Sequence, residues 1–492
     1  MISVMSKQNF LVLTAILTLT MCGCKSPENE KQEPSNLPQR GWENTTVESY
    51  KYKSTLIPSL YYTVKANDQD VFVYPTPEPH IATFGANGLV KVEIKYHKVN
   101  VESVEVRPLT KKHPYTFDRD GVTVWLNPLD QVSIEINGDL DNPLFVFVNP
   151  LEENKPNPDD ENVRYFKAGE VYNVGGTRFT DDNTSVYIEG GAVVEGCIVF
   201  QKSDNVSIGG YGILRSPKDT GSSLRFESCT NVKVDGIFHE NYDGWSIAFL
   251  CNKDVDVNNY KVVAPYGLPP YGVNNGGLNI LATENAVVKN SWAYAHDDAF
   301  MVKSQKFSWI GETKNVYFEN CIGWNVEAGN SFEIGYETEQ NVSDIHFKDI
   351  YSIHSEVGPR GVMRRAAVSI HQAAGGTISN VTYENVYIED PMEHGIYLSI
   401  LKAGYSIGDG VEWKPGVIDG VSFKNVYFYK DAPEGNLILY GTDRDVHTVK
   451  NLSFENFYIK GVKINSLKEA GCKVDHRVSA AVEVPAENVT FK

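Results

Sequence analysis

Along much of the chain, two apolar residues separated by one variable residue are bracketed by Asn, Asp or Gly, and this six-residue phrase recurs. It starts at Asn205, Asn231, Asp254, Asn285, Asn315, Asp344, Asn380, Gly420, Asn451 and Asn488. Asn315-Val316-Tyr317-Phe318-Glu319-Asn320 and Asn451-Leu452-Ser453-Phe454-Glu455-Asn456 show it in full. The starts are spaced by roughly 23 to 40 residues, the range of solenoid coils. Each phrase reads as a short strand with its alternate apolar residues facing inward, closed by a residue that tolerates the left-handed conformation and bends the chain into a second strand. Asn385-Val386-Tyr387-Ile388 and Asn456-Phe457-Tyr458-Ile459 are such second strands. One coil cannot bury its own apolar face, whereas about ten stacked coils share a core, so the pattern predicts a parallel β-helix. Leucine-rich repeats need a Leu ladder with helices, and propeller blades need four strands of steady length; neither pattern is present. The variable coil length places long loops at some turns, where they wall a groove.

Ahead of the repeat the period changes to two. Val71-Phe72-Val73-Tyr74, Val90-Lys91-Val92-Glu93-Ile94 and Val132-Ser133-Ile134-Glu135-Ile136 alternate between turn residues, which predicts an antiparallel β-sandwich. The Asn, Pro and Asp cluster between Glu152 and Glu161 reads as a linker. Before the sandwich, Lys7 leads an apolar run from Phe10 to Met21 that is too short to span a bilayer and ends in Met21-Cys22-Gly23-Cys24. That end resembles a bacterial lipobox, which implies cleavage after Gly23 and lipid on Cys24. The Glu, Pro, Asn and Lys-rich stretch after it reads as a disordered tether. The layout is thus all-β: signal peptide 1–23, tether 24–42, sandwich 43–151, linker 152–162 and parallel β-helix 163–492. It places the protein at the bacterial cell envelope, periplasmic or on the outer-membrane surface, touching the membrane only through the lipid.

Charge narrows the partners. The 492 residues carry 45 Lys and Arg against 63 Asp and Glu, a formal net charge of -18, and no segment forms the basic stripe that nucleic acid requires. Beyond the leader the cysteines are Cys197, Cys229, Cys251, Cys321 and Cys472, odd in number and irregular in spacing. They predict buried thiols rather than a disulfide framework, and no zinc spacing or Ca²⁺ loop accompanies them, so neither metal nor cofactor is expected.

Candidate chemistry lies on successive coils: Asp243-Gly244-Trp245-Ser246-Ile247, then Asn274-Asn275-Gly276-Gly277-Leu278-Asn279-Ile280, then His296-Asp297-Asp298 running to Lys303-Ser304, then Gly329-Asn330-Ser331-Phe332-Glu333 running to Tyr336-Glu337, with Arg364 and Arg365 beyond. Residues one coil apart become neighbours about 4.8 Å away on one sheet face. Adjacent acids on a regular strand face opposite ways, so Asp297 and Asp298 can share a groove only at a bend or bulge.

In these residues the chain resembles the polygalacturonase-type glycoside hydrolases of family 28 and the dextranase and isopullulanase group of family 49. The resemblance runs from about Val163 to His354. Asp297-Asp298 followed by Lys303-Ser304 matches the family 28 doublet and its Lys-Ser offset, and Gly323-Trp324 to Gly335-Tyr336 with Ser352-Ile353-His354 looks more like family 49. It implies a right-handed parallel β-helix, preceded in family 49 by a β-sandwich, and hydrolysis of a polysaccharide or oligosaccharide with Asp297 as acid and Asp298 in the base pair. The pattern departs at three places. The Asp of the Asn-Thr-Asp-Gly element falls on Gly276, with Asn279 three residues further on; the later family 49 acid falls on Leu278; and the His of Gly-His-Gly falls on Asn330. Glu333, by coil position, is the acid best placed to stand in.

Inverting hydrolysis needs a protonated carboxyl for the leaving oxygen and an ionised one to activate water. Around such a pair, Lys303, Arg364 or Arg365 pairs with a sugar carboxylate or sulfate or else with a neighbouring acid. Trp245 and Tyr336 stack on a pyranose or fill core space. His296 bonds the doublet or a sugar hydroxyl, or plays a plain polar role; Asn279 and Asn330 line the site where the family has charged groups. Trp292 and Trp324 read as structural. Besides hydrolysis, a catalytically silent glycan binder and a β-helical lyase fit the fold.

Overall fold

The computed structural model describes residues 37–38, 40–216, 223–242, 244–265, 275–306, 308–356, 365–402, 412–441, 449–473 and 486–492. The segment expected to be a leader, Cys24 with its expected lipid, and Arg364 lie outside them. No helix among the described residues is long and apolar enough to cross a membrane.

From Val163 onward 27 strands form one continuous hydrogen-bonded system, almost entirely parallel, in which each strand pairs with its counterpart one coil away. This is a parallel β-helix. The first residue of every phrase has a positive φ, from 52° at Asn380 to 80° at Gly420. So do closing residues such as Asn320, Asn385 and Asn456. The left-handed turn therefore occurs at both ends of the strand, where the sequence argument placed it only at the close. Side-chain amides then ladder between coils: Asn231 donates to Asn205 at 2.6 Å, Asn315 to Asn285 at 3.0 Å and Asn425 to Asn385 at 2.9 Å. Inside, aromatic rings stack in register, with Phe347, Tyr383, Phe423 and Phe454 forming one column at centroid spacings of 4.7 to 5.2 Å. Near the C-terminal end, Val462–Ile464 folds back antiparallel on Val449–Ile459, while Thr490–Phe491 pairs parallel to it.

The sandwich has one sheet containing His80–Ala86, Leu144–Pro150, Gln131–Ile136 and Val104–Arg107, and a second containing Tyr62–Ala66, Val90–Tyr96 and Gly121–Leu126. Its pairings are antiparallel except that Leu144–Pro150 runs parallel to His80–Ala86. Period-two alternation serves both partners of this domain. Leu144, Val146 and Val148 fill the sandwich core, while Phe145 and Phe147 face the β-helix and meet Trp292 at 4.7 and 5.6 Å between ring centroids. Trp292 and Trp324 are fully buried there, as structural residues. The next strand repeats the device: Gln131 bonds Asn259 and the Asn290 carbonyl, and Glu135 bonds His354 at 2.9 Å. Arg107, buried beside them, reaches Glu135 at 3.0 Å and Glu389 of the β-helix at 2.9 Å. None of the five described cysteines is paired.

Candidate active site

Each coil turns a corner between the sheet that packs on the sandwich and a second sheet that follows it along the chain. On that second sheet Ile280, Val302, Ile334 and Ile370 point into the core. Their neighbours in register, Ala248, Asn279, Met301, Glu333, Ser369 and Tyr397, therefore form the outer row. Two positions along runs a second row containing Lys303 and His371.

Asp297 and Asp298 occupy the corner between Trp292–Ala295 and Phe300–Lys303, outside both strands. The bend lets both acids serve one groove. Gly329 makes room beneath them: a Cβ there would lie 2.3 Å from the Asp298 nitrogen and 2.6 Å from Asp297 Oδ1, and its φ is +76°. Asp297 Oδ1 accepts the Asp298 N–H at 2.9 Å. Asp298 Oδ1 accepts two bonds from Asn330, the backbone N–H at 2.8 Å and the side-chain amide at 3.1 Å, while Asn330 Oδ1 accepts from Ala366 N at 2.8 Å. Glu333 is fully buried, accepts from the Ser369 hydroxyl, and sits 3.0 Å from His371 Nδ1. Lys303 is locked to Glu337 at 2.6 Å and lies over the Trp245 ring at 5.4 Å.

Burial and like charge move these acids far from ordinary carboxylates. Desolvation, then the Asp298 charge, raises Asp297 to about 7. Asp298 also rises to about 7, through burial and then Glu333, against the pull of Lys303 and the Asn330 bonds. Burial lifts Glu333 to about 8 against the Ser369 bond and Lys303. Lys303 is disfavoured by burial, but Glu337 and the doublet more than restore it and hold it charged. The three acids thus keep a mixture of protonated and ionised carboxyls near neutral pH, which acid–base catalysis requires.

The structure brings together Asp297, Asp298, Glu333, Lys303, Asn330 and Trp245, with Asn279 fully buried in the outer row. Gly276 sits over this cluster: a Cβ there would lie 2.7 Å from Met301 Cε, 3.3 Å from Trp245 and 3.4 Å from the Asp298 carbonyl. Met301 and Trp245 fill the space that a side chain at that position would take. Tyr336 stacks on His371 at 4.5 Å, interplanar angle 7°, and so braces the partner of Glu333. His296 turns toward the sandwich, where Glu78 meets its Nε2 at 2.9 Å. Arg365 is fully buried. Its guanidinium is thus not an open surface cation, contrary to a simple exposed ion-pair role.

Sequence reasoning missed Ser369, His371 and Glu78, and named Glu337 within its segment without giving it a role. Ser369 and His371 were within reach, since Val368-Ser369-Ile370-His371 repeats the alternation of Phe332-Glu333-Ile334-Gly335 one coil on. Glu78 carried no signal, because it comes from the sandwich, 218 residues before the histidine it holds. Among the described residues no group of His, Cys, Asp and Glu is arranged to hold a metal ion.

Residues 184–481, more than half of the chain, match the family described as Glycosyl hydrolases family 28. The chain belongs to that family. Among curated proteins it is similar to probable exopolygalacturonase B of Emericella nidulans, 22% identical over 53% of this chain and 57% of that one. It is also similar to probable endopolygalacturonase D of Neosartorya fischeri, 24% identical over 33% of this chain and 30% of that one. The chain thus spans between about a third and somewhat over half of these relatives. Among solved structures, Dex49A from Penicillium minioluteum superposes with a TM-score of 0.56 at 14% identity, covering 90% of this chain and 96% of that one. At that identity the likeness concerns the fold, here including the part ahead of the β-helix.

Proposed function

We propose that this family 28 member is a glycoside hydrolase that cleaves O-glycosidic bonds of a polysaccharide by inverting acid–base catalysis. The observation that carries the reading is the cluster of Asp297, Asp298 and Glu333, three carboxyls raised to between about 7 and 8 around one corner of the groove. Asp297, the most open of the three, donates a proton to the leaving oxygen. Asp298, whose Oδ1 receives two N–H groups from Asn330, is the better anion and activates water, joined by Glu333 in its ionised fraction, which grows as pH approaches about 8. Glu333 thereby takes the part of the family acid that falls on Gly276. The relatives named as exopolygalacturonase and endopolygalacturonase support a glycan substrate without fixing the sugar. We further place the enzyme at the cell envelope, held by lipid on Cys24, on the strength of the Gly23-Cys24 motif and the polar stretch after it.

The test is incubation with a panel of polysaccharides, with product chromatography and proton magnetic resonance of the first product. New reducing ends of inverted anomeric configuration are expected. Retained configuration would refute the water-activating role of Asp298. Binding without any release of reducing ends would replace the enzyme by a silent glycan binder, and unsaturated products would make it a lyase.

A further inference from the structure

The outer row continues beyond the acids toward the first coils. In register, Met301 is preceded by Asn279, Ala248, Arg225, Val199 and Arg178, one residue per coil. Arg225 and Arg178 therefore stand three and five coils away, roughly 14 and 24 Å along the same outer row at about 4.8 Å per coil. At that distance the corner opens into a cavity of about 580 Å³ lined by both arginines together with Arg215, Glu195 and Cys197.

Glycine makes this cavity. Strand Val171–Phe179 bulges between Asn173 and Gly175 against its neighbour. Gly175 has φ +56°, and Gly196 has φ +136° with room for no Cβ, since one would lie 2.3 Å from the Gly175 carbonyl. Gly176, by contrast, faces open space. The corner that carries the acid doublet on a later coil is here bare backbone beside guanidinium groups.

The charges are unevenly shared. Arg215 is matched by Glu195 at 2.8 Å and Glu240 at 3.0 Å. Arg178 and Arg225, however, share a single carboxylate, Glu227, at 3.0 and 3.4 Å, and Gln201 donates to it as well at 2.8 Å. Over the three arginines and three glutamates the charge balances, but two cations over one anion put the positive excess at Arg178 and Arg225, and two anions over one cation put the negative excess at Arg215. Arg178 and Arg225 remain accessible, with 44% and 33% of their side-chain surface exposed. A guanidinium held in place by one carboxylate presents its remaining N–H groups in the planar fork that suits carboxylate and sulfate oxygens. At the other end of the row, Asp297, Asp298, Glu333 and Glu337 share Lys303, which Glu337 already occupies.

We infer that the Arg178–Arg225 cavity is a distal subsite that binds an anionic substituent, a carboxylate or a sulfate, on the glycan whose backbone is cut at Asp297 and Asp298. This rests on the glycan-cleaving reading of the groove. The subsite holds the chain several residues from the scissile bond, where binding energy orients the substrate without placing another anion among the acids. The polymer it selects bears charged groups at a distance from a sugar accepted by the acidic centre.

Native affinity electrophoresis of the full chain, silenced by Asp298→Asn, tests the site without requiring turnover, so its outcome is separate from that of the product assay. The gels contain polygalacturonate as the carboxylated probe, dextran sulfate as the sulfated probe, or dextran as the neutral control. Retardation by at least one charged polymer is expected despite the net charge of -18, which repels both. Arg178→Ala with Arg225→Ala should weaken it at least tenfold. Gly176→Glu, which adds a carboxylate where nothing is displaced, should do the same with the arginines intact. Mobility in dextran should be unchanged by either alteration. The charged polymer that retards the protein more identifies the substituent. No retardation by either charged polymer, or retardation that both alterations leave intact, overturns the inference.

Discussion

Asn330 gives both its backbone N–H and its side-chain amide to one oxygen of Asp298, at 2.8 and 3.1 Å. These bonds pull Asp298 toward its ionised form against the burial and the Glu333 charge that raise it, since donors to a carboxylate favour the anion. Asn330→Ala keeps the backbone bond and removes the amide. The acid limb of the pH–rate profile should move upward, and turnover at neutral pH should fall by about tenfold. Steady-state kinetics across pH checks it; an unshifted limb would show that the side-chain bond is only structural.

Turnover should depend on all three acids. Asp297→Asn, Asp298→Asn and Glu333→Gln should each lower kcat by at least about a hundredfold with the fold retained, as for groups that exchange or activate protons. Circular dichroism alongside rate measurement checks this. A fully active Glu333→Gln variant would remove Glu333 from the mechanism.

The same glutamate costs stability when ionised. Its folded-state value of about 8 lies above the ordinary 4.5, so the native state binds the proton more tightly, and its contribution to stability is lost as pH rises between those values. Glu333→Gln should therefore raise the melting temperature by roughly 1–3 °C at about pH 9 and leave it nearly unchanged at about pH 4. Differential scanning calorimetry at both pH values reads the difference. An equal change at both would assign the effect to packing.

Gly276 offers a rescue. The nearest atom to a Cβ there is the flexible tip of Met301, at 2.7 Å, which can move aside at little cost. Introducing Gly276→Asp into Glu333→Gln should restore part of the lost turnover, at least about tenfold, by returning a third carboxyl to the cluster. Kinetics of the double variant, with Gly276→Asn as the uncharged control, checks it.

The seam between sandwich and β-helix is held by buried charge as well as by Trp292. Removing Arg107 leaves Glu135 and Glu389 buried without their guanidinium, an arrangement that costs about 3–5 kcal/mol in comparable cases. Arg107→Met should lower the urea midpoint accordingly, followed by Trp fluorescence.

What could be read from the chain tracks the distance over which each signal acts. The coil phrase was legible because each left-handed Asn is a local requirement, met again at every turn. The acid doublet was legible because the bend that aims both carboxyls lies between two adjacent strands. His371 needed the register of the next coil, since its role depends on Glu333 one row away. Glu78 and Arg107 were out of reach: no periodicity in the sandwich marks which of its polar residues will face the β-helix rather than water.

The solenoid repeats one strand unit with side-chain amides and aromatic rings stacked in register, the same arrangement that drives amyloid to grow without limit. The edge of strand Val449–Ile459 would present the template for another chain to add. The backward fold of Val462–Ile464 occupies part of that edge with antiparallel bonds. There the direction of the stack is reversed, so an incoming parallel strand finds the wrong partner. Over Phe457 to Ile459 the chain thus opposes parallel addition with a reversed strand of its own.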